Sequence, residues 1–370
     1  MNPKVAARQA RLLQMLENKE EIRIGRERDC PLPLAQLLRL AEGHPDVLKV
    51  YGHGLTAEVF HLKVEDHHWC LKRRRQESLV ANVDGQTAFL TELERRREIE
   101  SLRELHPTIL SNVVCTSFGS ARAGVLVSPW LRGDPVHKLD ERNLAQMLAI
   151  EAELAHWGWF DWDPSPGNLL DDGQQISVFD FGYMWPFDPR HEFNSNGLSD
   201  PEFHVPERLE TRTLSGLWLD AADPMPQFRH WRELCLAWAK SELQYLNREG
   251  ASAAVLARLQ GLVGEWSAAL ASDEALAASW WRDMYRSHRL DILDDLSGKS
   301  CGPLTLRRLD WLEMAVGEHF PALVDNLGPD EAGLGQTGLL QKLAGLREQI
   351  RAYQLPASTR VASGAGHATV

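Results

Sequence analysis

The feature of this sequence that most constrains its fold is a change of pattern along the chain. Between residues 47 and 75, apolar and polar residues alternate in "VLKVYGHG", "AEVFHLKVED" and "HHWCLKRRR". This two-residue period, rich in β-branched and aromatic side chains, predicts three strands joined by turns. After a helical pattern at 84–105, "NVVCTSFGS" and "AGVLVSPWL" predict two more strands. We therefore expect a small antiparallel sheet of five strands and a helix.

Helical periodicity dominates the rest of the chain. "DERNLAQMLAIEAELAHWGW" predicts a helix capped by Asp140, and tryptophan-rich helical segments follow one another after about residue 225. An α+β, two-lobed architecture follows. The expected organisation is a helical N-terminal extension (1–46), a sheet lobe (47–128), a catalytic core in a mostly helical lobe (129–224), a helical extension of that lobe (225–355) and a disordered tail (356–370).

Composition argues against several classes of protein. The net charge of −12 over 370 residues disfavours a nucleic-acid binder, because phosphate contacts need a basic surface. Five scattered cysteines without a CxxC pair indicate neither a disulfide framework nor a zinc site. The first residues lack the apolar segment of a signal peptide, and no apolar run reaches the roughly 18 residues of a membrane span. The expected location is the cytoplasm, with secretion into a host as the alternative, and no oligomeric state is predicted.

Three segments of the first lobe carry residues that could bind phosphate. Gly52 and Gly54 in "GHGLTAEV" let the backbone approach a phosphate closely, although an ordinary hairpin turn also explains them. Lys72 in "CLKRRR" needs an acid or a phosphate as partner if it points inward, or it begins a solvated basic run. The helix "ERRREIESLREL" offers Glu98 to Lys72, with Glu94 and Glu100 as alternatives, or simply forms ion pairs along a solvated face.

The segment 159–182, "WFDWDPSPGNLLDDGQQISVFDFG", gathers acidic and amide side chains between two apolar runs. Asp163 and Asn168 flank two prolines and a glycine, which predict an irregular loop, and Asp180 follows the strand-like "ISVFD". Asp171 and Asp172 precede a glycine and predict a hairpin turn. Carboxylate and amide oxygens on such a loop suit Mg²⁺, a hard ion that prefers oxygen ligands.

The order and spacing of these motifs resemble the protein kinase superfamily over roughly residues 48–220. "GHGLTAEV" is similar to the glycine-rich loop, which places Ala57 at the third glycine and Val59 over the adenine. "CLK" makes Lys72 the α/β-phosphate lysine, and the helix that follows makes Glu98 its ion-pair partner. "LVSPWLRGDPV" resembles the hinge, with Ser128 near the gatekeeper position and Trp130 as a further nucleotide contact.

The resemblance extends through the second half of the catalytic core. "DWDPSPGN" resembles the catalytic loop, with Asp163 as catalytic base and Asn168 as a metal ligand. The intact "DFG" makes Asp180 a second Mg²⁺ ligand, and "VPERLETR" resembles the end of an activation segment at 180–207. The closing Pro-Glu pair would be Pro206 and Glu207.

Three residues depart from the family pattern. Asp161 stands in place of the usual histidine of the catalytic loop, and Trp162 stands in place of its arginine. Without that arginine, a phosphorylated activation segment lacks its usual charge partner. Ser165 replaces the lysine typical of protein serine/threonine kinases, and "PGN" is also common in small-molecule kinases. Candidate autophosphorylation sites in the segment are Tyr183, Ser195 and Ser199.

The resemblance implies an ATP-dependent phosphotransferase that uses Mg²⁺, with Mn²⁺ as a substitute. The Pro-Glu pair and the helix-C-like segment favour a protein kinase acting on Ser/Thr hydroxyls. The "PGN" loop, the missing lysine and the large helical region favour the alternative, a kinase of an aminoglycoside, a sugar or a lipid-linked saccharide. A pseudokinase scaffold is a further alternative, disfavoured by the complete set of catalytic residue types. The implied partners are ATP and a protein or small-molecule substrate.

Overall fold

The computed structural model describes residues 2–52, 54–324, 327–328 and 330–355. These described residues divide into two compact units, the first within 2–136 and 161–185 and the second within 137–160 and 186–355. The first unit contains an antiparallel sheet and the second is mostly helical, so the predicted α+β class is confirmed. The predicted disordered tail (356–370) lies outside the described residues.

The sheet of the first unit has six strands among the described residues. They are β1 (Arg23–Gly25), β2 (Val47–Tyr51), β3 (Ala57–Val64), β4 (His67–Arg74), β5 (Phe118–Ser120) and β6 (Val125–Pro129). Their order is β1-β5-β6-β4-β3-β2, and all neighbours are antiparallel. The five strands predicted from the sequence are β2 to β6. β1 adds an edge strand that the alternation rule misses, because its three residues are too short to show a period.

Three helices complete the main body of the first unit: α1 (Pro3–Glu17), α2 (Leu34–Leu37) and α3 (Val83–Leu105). Asn82 caps α3, because its side chain accepts a hydrogen bond from the Gly85 N–H at 2.8 Å. The second helix of the predicted helical extension (1–46) is only the single turn α2. Leu40, beyond the end of α2, is buried in the same apolar cluster as Leu37 against the sheet.

Each face of the sheet carries its own apolar core. On one face α1 and α3 pack together, and the buried side chains include Leu12, Met15, Phe89, Leu93 and Leu126. The other face packs against α2, with Leu37, Phe60, Leu71, Phe118 and Val127 among the buried side chains. The predicted N-terminal extension (1–46) therefore supplies helix and strand to the body of the first unit.

The strands after the main sheet are short. They are β7 (Asp134–Pro135), β8 (Trp159–Asp161), β9 (Leu169–Asp171), β10 (Ile176–Val178) and β11 (Met184–Pro186). β9 and β10 form the predicted hairpin, in which Asp172 Oδ1 accepts the N–H groups of Gln174 and Gln175 at 2.9 and 2.8 Å. Gly173 has a φ of +90° in this turn, a conformation that favours glycine.

The helices of the second unit are α4 (Glu141–His156), α5 (Val205–Leu209), α6 (Ser215–Trp218), α7 (Met225–Arg248), α8 (Ala253–Ala269), α9 (Asp273–Gly298), α10 (Pro303–Leu323) and α11 (Gly335–Ala352). Asp140 caps α4 as predicted, accepting the Asn143 N–H at 2.8 Å. α5 and α6 are joined by a π-helical turn, Glu210–Leu214. Within the described ranges, no helix combines the length and apolarity that crossing a bilayer requires.

A buried ionic network stabilises the centre of the second unit. Glu210 accepts hydrogen bonds from Arg232 Nη2 at 3.0 Å and from Arg286 at 2.9 Å, and Arg232 also binds Asp283 at 2.8 Å. Buried charges are tolerated when they are paired in this way. Glu207 of the predicted Pro-Glu pair is fully buried three residues earlier and accepts a hydrogen bond from Thr211. Burial raises the pKa of Glu207 above its ordinary value.

Candidate active site

Lys72 points into the first unit rather than into solvent. It lies on β4 opposite Val59 of β3, and the residue is only 9% exposed. Its Nζ donates to the carboxylate of Glu92 and to Asp180 Oδ2, the latter at 2.7 Å. Burial acts to lower the pKa of Lys72, but the two carboxylates outweigh it and raise the pKa above its ordinary value. Lys72 is therefore a buried cation that links a helix to the Asp-Phe-Gly turn.

The prediction that Glu98 pairs with Lys72 is wrong, because Glu92 contacts Lys72 instead. Six positions along α3 correspond to a rotation of about 240° beyond one full turn, so Glu92 and Glu98 face different directions. Glu92 is buried on the sheet side, whereas the Glu98 side chain is 39% exposed and accepts a hydrogen bond from Arg95 at 2.8 Å. The alternative Glu94 binds Arg11 of α1. The other alternative, Glu100, pairs with Arg103 at 2.9 Å.

Arg96 completes a polar network behind Glu92. Its Nε donates to Glu92 Oε1 at 2.9 Å, and its Nη1 donates to Thr116 Oγ1 and Ser128 Oγ, each at 3.2 Å. Both carboxylate oxygens of Glu92 are thus occupied by cations, which fixes its rotamer. Ser128, the predicted gatekeeper, is buried and helps to hold Arg96. Its predicted contact with a nucleotide stays a prediction.

The glycine-containing turn is held in place by an arginine from the end of β4. Arg75 Nε donates to the Gly54 carbonyl at 2.8 Å, and its Nη2 contacts the Gly52 carbonyl. A Cβ on Gly54 would lie 2.3 Å from the Ala57 carbonyl, so the tight turn requires glycine there. Arg75 is therefore part of the turn structure and not of a solvated basic run. Phosphate binding by this turn stays a prediction, as does nucleotide contact by Ala57 and Val59.

Trp130 packs against the end of the sheet. Its ring stacks on His61 with centroids 3.7 Å apart and an interplanar angle of 9°, and it lies 5.9 Å from the Tyr51 ring. His61 pairs with Cys70, two residues before Lys72 on β4. Trp130 is thus held on the strands that carry Val59 and Lys72, and its predicted role as a nucleotide contact stays a prediction.

The loop predicted to be catalytic is irregular and internally braced. Asn168 Nδ2 donates to the Asp163 carbonyl at 3.0 Å, and the Ser165 N–H donates to the same oxygen at 2.7 Å. Asp161, the residue that departs from the family histidine, is buried, and its Oδ1 accepts the Asp163 N–H at 2.8 Å. Asp161 therefore supports the backbone of Asp163. Trp162 packs against the apolar cluster around α1 and α3.

Asp180 occupies a constrained backbone position. Its φ of +73° lies in the left-handed region, where residues other than glycine are uncommon. Its Oδ1 accepts the Gly182 N–H at 3.3 Å, and Phe181 is fully buried beneath the Arg96 guanidinium. Burial acts to raise the pKa of Asp180, yet Lys72 outweighs it and holds this pKa below its ordinary value. Asp180 is therefore a carboxylate, the form that binds a cation.

The side chains predicted to bind metal have the chemistry that Mg²⁺ needs. Asp180 offers a carboxylate, and Asn168 uses its amide nitrogen on the Asp163 carbonyl, which leaves the amide oxygen to serve a cation. Two protein oxygens suit Mg²⁺, since that ion keeps several waters and binds substrate phosphates. No cluster of three or more His, Cys, Asp or Glu side chains with metal-binding geometry occurs in the described part of the chain. This donor set therefore fits a metal carried by a nucleotide better than a resident metal.

The fold and these contacts define a class of protein. An antiparallel sheet bears an inward lysine, the helix that follows supplies its glutamate, and a braced Asp-to-Asn loop precedes an Asp-Phe-Gly turn. This is a protein-kinase-like fold. Sequence reasoning missed Glu92, Arg96 and Arg75 as parts of the site, and it singled out Asp161 only as a departure from the family pattern. The helical phase of the buried Phe89 and Leu93 would have placed Glu92 on the inner face of α3.

Comparisons with known proteins give only distant likenesses. No family model and no curated protein matches the sequence. The kinase domain of BubR1 is 18% identical with a TM-score of 0.28, and the match covers 41% of this chain and 60% of that one. The Rv3197–erythromycin complex from Mycobacterium tuberculosis is 16% identical with a TM-score of 0.28, covering 43% and 55%. Vaccinia related kinase 3 is 12% identical with a TM-score of 0.28, covering 42% and 56%.

The matched part thus spans a little over half of each of these solved chains. At such TM-scores the likenesses carry no weight for activity, substrate or partner. The residues of the first unit are therefore the basis for any assignment of function.

Proposed function

We propose that this protein transfers the γ-phosphoryl group of ATP to a hydroxyl group, with a Ser or Thr side chain of a protein as the leading acceptor. The observation that supports this most is the buried Lys72 between Glu92 and Asp180. A buried lysine that two carboxylates hold is positioned to meet phosphate oxygens. Glu92 replaces Glu98 in this proposal because it is the carboxylate in contact with Lys72.

In this mechanism the side chains position the reactants and balance their charge. Lys72 binds the α- and β-phosphates, and the turn held by Arg75 covers them with backbone N–H groups. Asp180 and Asn168 would hold Mg²⁺, which supplies neutralisation of phosphate charge when it is bound. Asp163 accepts the hydroxyl proton as the acceptor oxygen bonds to the γ-phosphorus and the bond to the ADP oxygen breaks.

The segment after the Asp-Phe-Gly turn supports a protein kinase that needs no activating phosphate. Asn194 Nδ2 donates to the carbonyls of Asp200 and Phe203 at 3.0 and 3.2 Å, so side chains of the segment itself order it. This agrees with Trp162 replacing the arginine that would bind a phosphate. Of the predicted autophosphorylation sites in this segment, Ser195 is buried and Ser199 is exposed. Ser199 is therefore the better candidate.

A small-molecule acceptor is the second candidate, and Ser165 favours it. Ser165 stands at the position that carries a lysine in protein serine/threonine kinases, so this position supplies no positive charge. Its N–H donates to the Asp163 carbonyl in the loop. A protein kinase of this type would have to position the γ-phosphate without that charge. The two candidates share Lys72, Glu92, Asp163 and Asp180, and they differ only in the acceptor.

One experiment tests the proposal and separates the two acceptors. The purified protein is incubated with labelled ATP and Mg²⁺, once with a generic protein substrate and once with a panel of sugars, aminoglycosides and lipid-linked saccharides. Labelled protein supports the leading proposal, and a labelled metabolite supports the second. The variant Asp163→Ala should lose transfer, whereas Asp172→Ala in the hairpin turn should keep it. Full transfer by Asp163→Ala would show that another group acts as the base.

Binding of the nucleotide is tested separately by thermal shift. Mg²⁺-ATP should raise the unfolding temperature of the wild type. The increase should be smaller for Lys72→Ala. An unchanged unfolding temperature at millimolar Mg²⁺-ATP, together with no transfer, would favour the pseudokinase scaffold.

A further inference from the structure

The N-terminal helix α1 contacts both of the segments that supply carboxylates to Lys72. We propose that α1 is a built-in positioning element that holds Glu92 and Asp180 in their paired arrangement. The inference depends on the proposed function only for its activity readout, because the pairing itself is measurable without catalysis. It concerns Arg8, Arg11 and Leu12, which the resemblance to kinases leaves without a role.

The first set of contacts joins α1 to α3. Arg11 donates from both terminal nitrogens to the two carboxylate oxygens of Glu94, and Gln9 Nε2 donates to Asp84 Oδ1 at 3.1 Å. The Glu94 side chain is only 2% exposed, and a buried carboxylate that loses a partner such as Arg11 is strongly destabilising. Glu94 lies two residues from Glu92 on the same helix. A rotation or outward shift of α3 that withdrew Glu92 would therefore also break the Arg11–Glu94 pair.

The second set of contacts joins α1 to the segment that carries Asp180. The Arg8 guanidinium lies 4.4 Å from the centroid of the Trp185 ring, a cation–π distance. Trp185 is 3% exposed, and it follows Asp180 by five residues. Its backbone continues directly from the turn whose Gly182 lies against Ala88 of α3. α1 is therefore linked to the Asp-Phe-Gly turn through Trp185, which follows that turn along the chain.

An apolar core unites the two sets of contacts. Leu12 is fully buried and Met15 nearly so, and they belong to one cluster with residues of α3, β3, β6 and the segment after Asp180. The cluster residues from those elements are Ala57, Phe89, Leu90, Leu93, Leu126 and Trp185. Close-packed interiors do not deform continuously, so α1, α3 and the segment after Asp180 adopt one arrangement together. The position of Glu92 relative to Lys72 is thus coupled to the packing of α1 against α3 and the sheet.

The alternative is that α1 merely adds stability. The test compares the double variant Arg8→Ala/Arg11→Ala with Arg11→Lys and with the control Arg23→Ala, which removes an exposed arginine paired with Glu27 on the same unit. In the double variant, amide hydrogen exchange within 86–99 should rise at least about tenfold while exchange in β4 and β6 is unchanged. A purely structural role would raise exchange across the whole first unit. Arg11→Lys, which keeps the charge at position 11 and the Arg8 contact, should keep more of the protection than the double variant does.

Activity provides the second readout. At saturating ATP, the kcat for phosphotransfer should fall by about tenfold or more in the double variant, while the control keeps the wild-type rate. Unchanged exchange in 86–99 in the double variant would overturn the positioning role whether or not the wild type is active. Conversely, an inactive wild type with the expected exchange pattern would overturn the proposed function and leave the role of α1 standing. Leu12→Ala, read by the same exchange experiment, repeats the test without removing a charge.

Discussion

Lys72 Nζ lies 2.7 Å from Asp180 Oδ2 while it also contacts the Glu92 carboxylate, so one buried cation joins α3 to the Asp-Phe-Gly turn. The same Glu92 carboxylate binds Arg96 through its other oxygen. The four side chains form a continuous chain of charges in which each member satisfies its neighbours. Removal of any one leaves a buried charge short of a partner, and this dependence is what the first prediction uses.

Glu92→Gln should abolish ATP-dependent phosphotransfer and lower the free energy of unfolding by about 3 kcal/mol, because it removes the carboxylate shared by Lys72 and Arg96. Glu98→Gln is the matched control on the same helix. It should keep activity, since the Glu98 side chain is 39% exposed and accepts a hydrogen bond from Arg95 without contacting Lys72. Urea unfolding and a labelled-ATP assay measure both effects. Equal loss of activity in the two variants would contradict the assignment of Glu92.

Arg75→Ala should raise the KM for ATP by about tenfold with a smaller change in kcat. The guanidinium holds the carbonyls of Gly52 and Gly54, and without it the turn becomes mobile and pays an ordering cost when ATP binds. Arg122→Ala removes an arginine whose side chain is 70% exposed and should leave both constants unchanged. Steady-state kinetics in ATP supply the measurement. An unchanged KM in Arg75→Ala would show that this turn does not contact the nucleotide.

The inward position of Lys72 was predicted from the sequence, whereas the contacts of Glu92 and Arg75 were not. Strand alternation and the order of motifs were enough for the α+β class and for an inward Lys72. They did not choose among the glutamates of a helix in which "TELERRREIE" places a charge at most positions, although the spacing of Phe89 and Leu93 indicates an apolar face beside Glu92. The choice depends on which face of α3 meets the sheet and which meets α1, and both are tertiary facts. Arg75 was hidden for the same reason, since a basic run at a strand end ordinarily faces solvent.

Asp161→Ala should lower kcat by at least about tenfold, because Asp161 Oδ1 accepts the N–H of Asp163 and so fixes the backbone of the proposed base. Asp161→Asn keeps an acceptor oxygen in the same place and should retain most of the activity. The comparison of kcat for the two variants separates the hydrogen bond from the charge. Equal loss in both would mean that the negative charge of Asp161 is the property that matters.

The stability of the protein should depend on pH through Glu242 on α7. Glu242 lines a cavity of about 60 Å³ together with apolar side chains that include Phe160, Phe187, Trp238 and Leu246. Burial in these surroundings raises the pKa of Glu242 to about 6. A carboxyl whose pKa is higher in the folded state favours folding in its protonated form. Its contribution is complete below the unfolded pKa and is lost as the pH rises through about 6.

Glu242→Gln should therefore stabilise the protein above that pH by about 2 kcal/mol, the free energy that corresponds to a rise of the pKa from 4.5 to about 6. The gain should vanish below about pH 4, where the wild-type carboxyl is protonated in both states. Glu249→Gln, at an exposed position at the end of the same helix, should leave the free energy of unfolding unchanged across the series. Urea unfolding at a series of pH values between 4 and 8 measures the effect, within the range in which refolding is reversible. A pH-independent difference between Glu242→Gln and wild type would show that the pKa of Glu242 is the same in the folded and unfolded states.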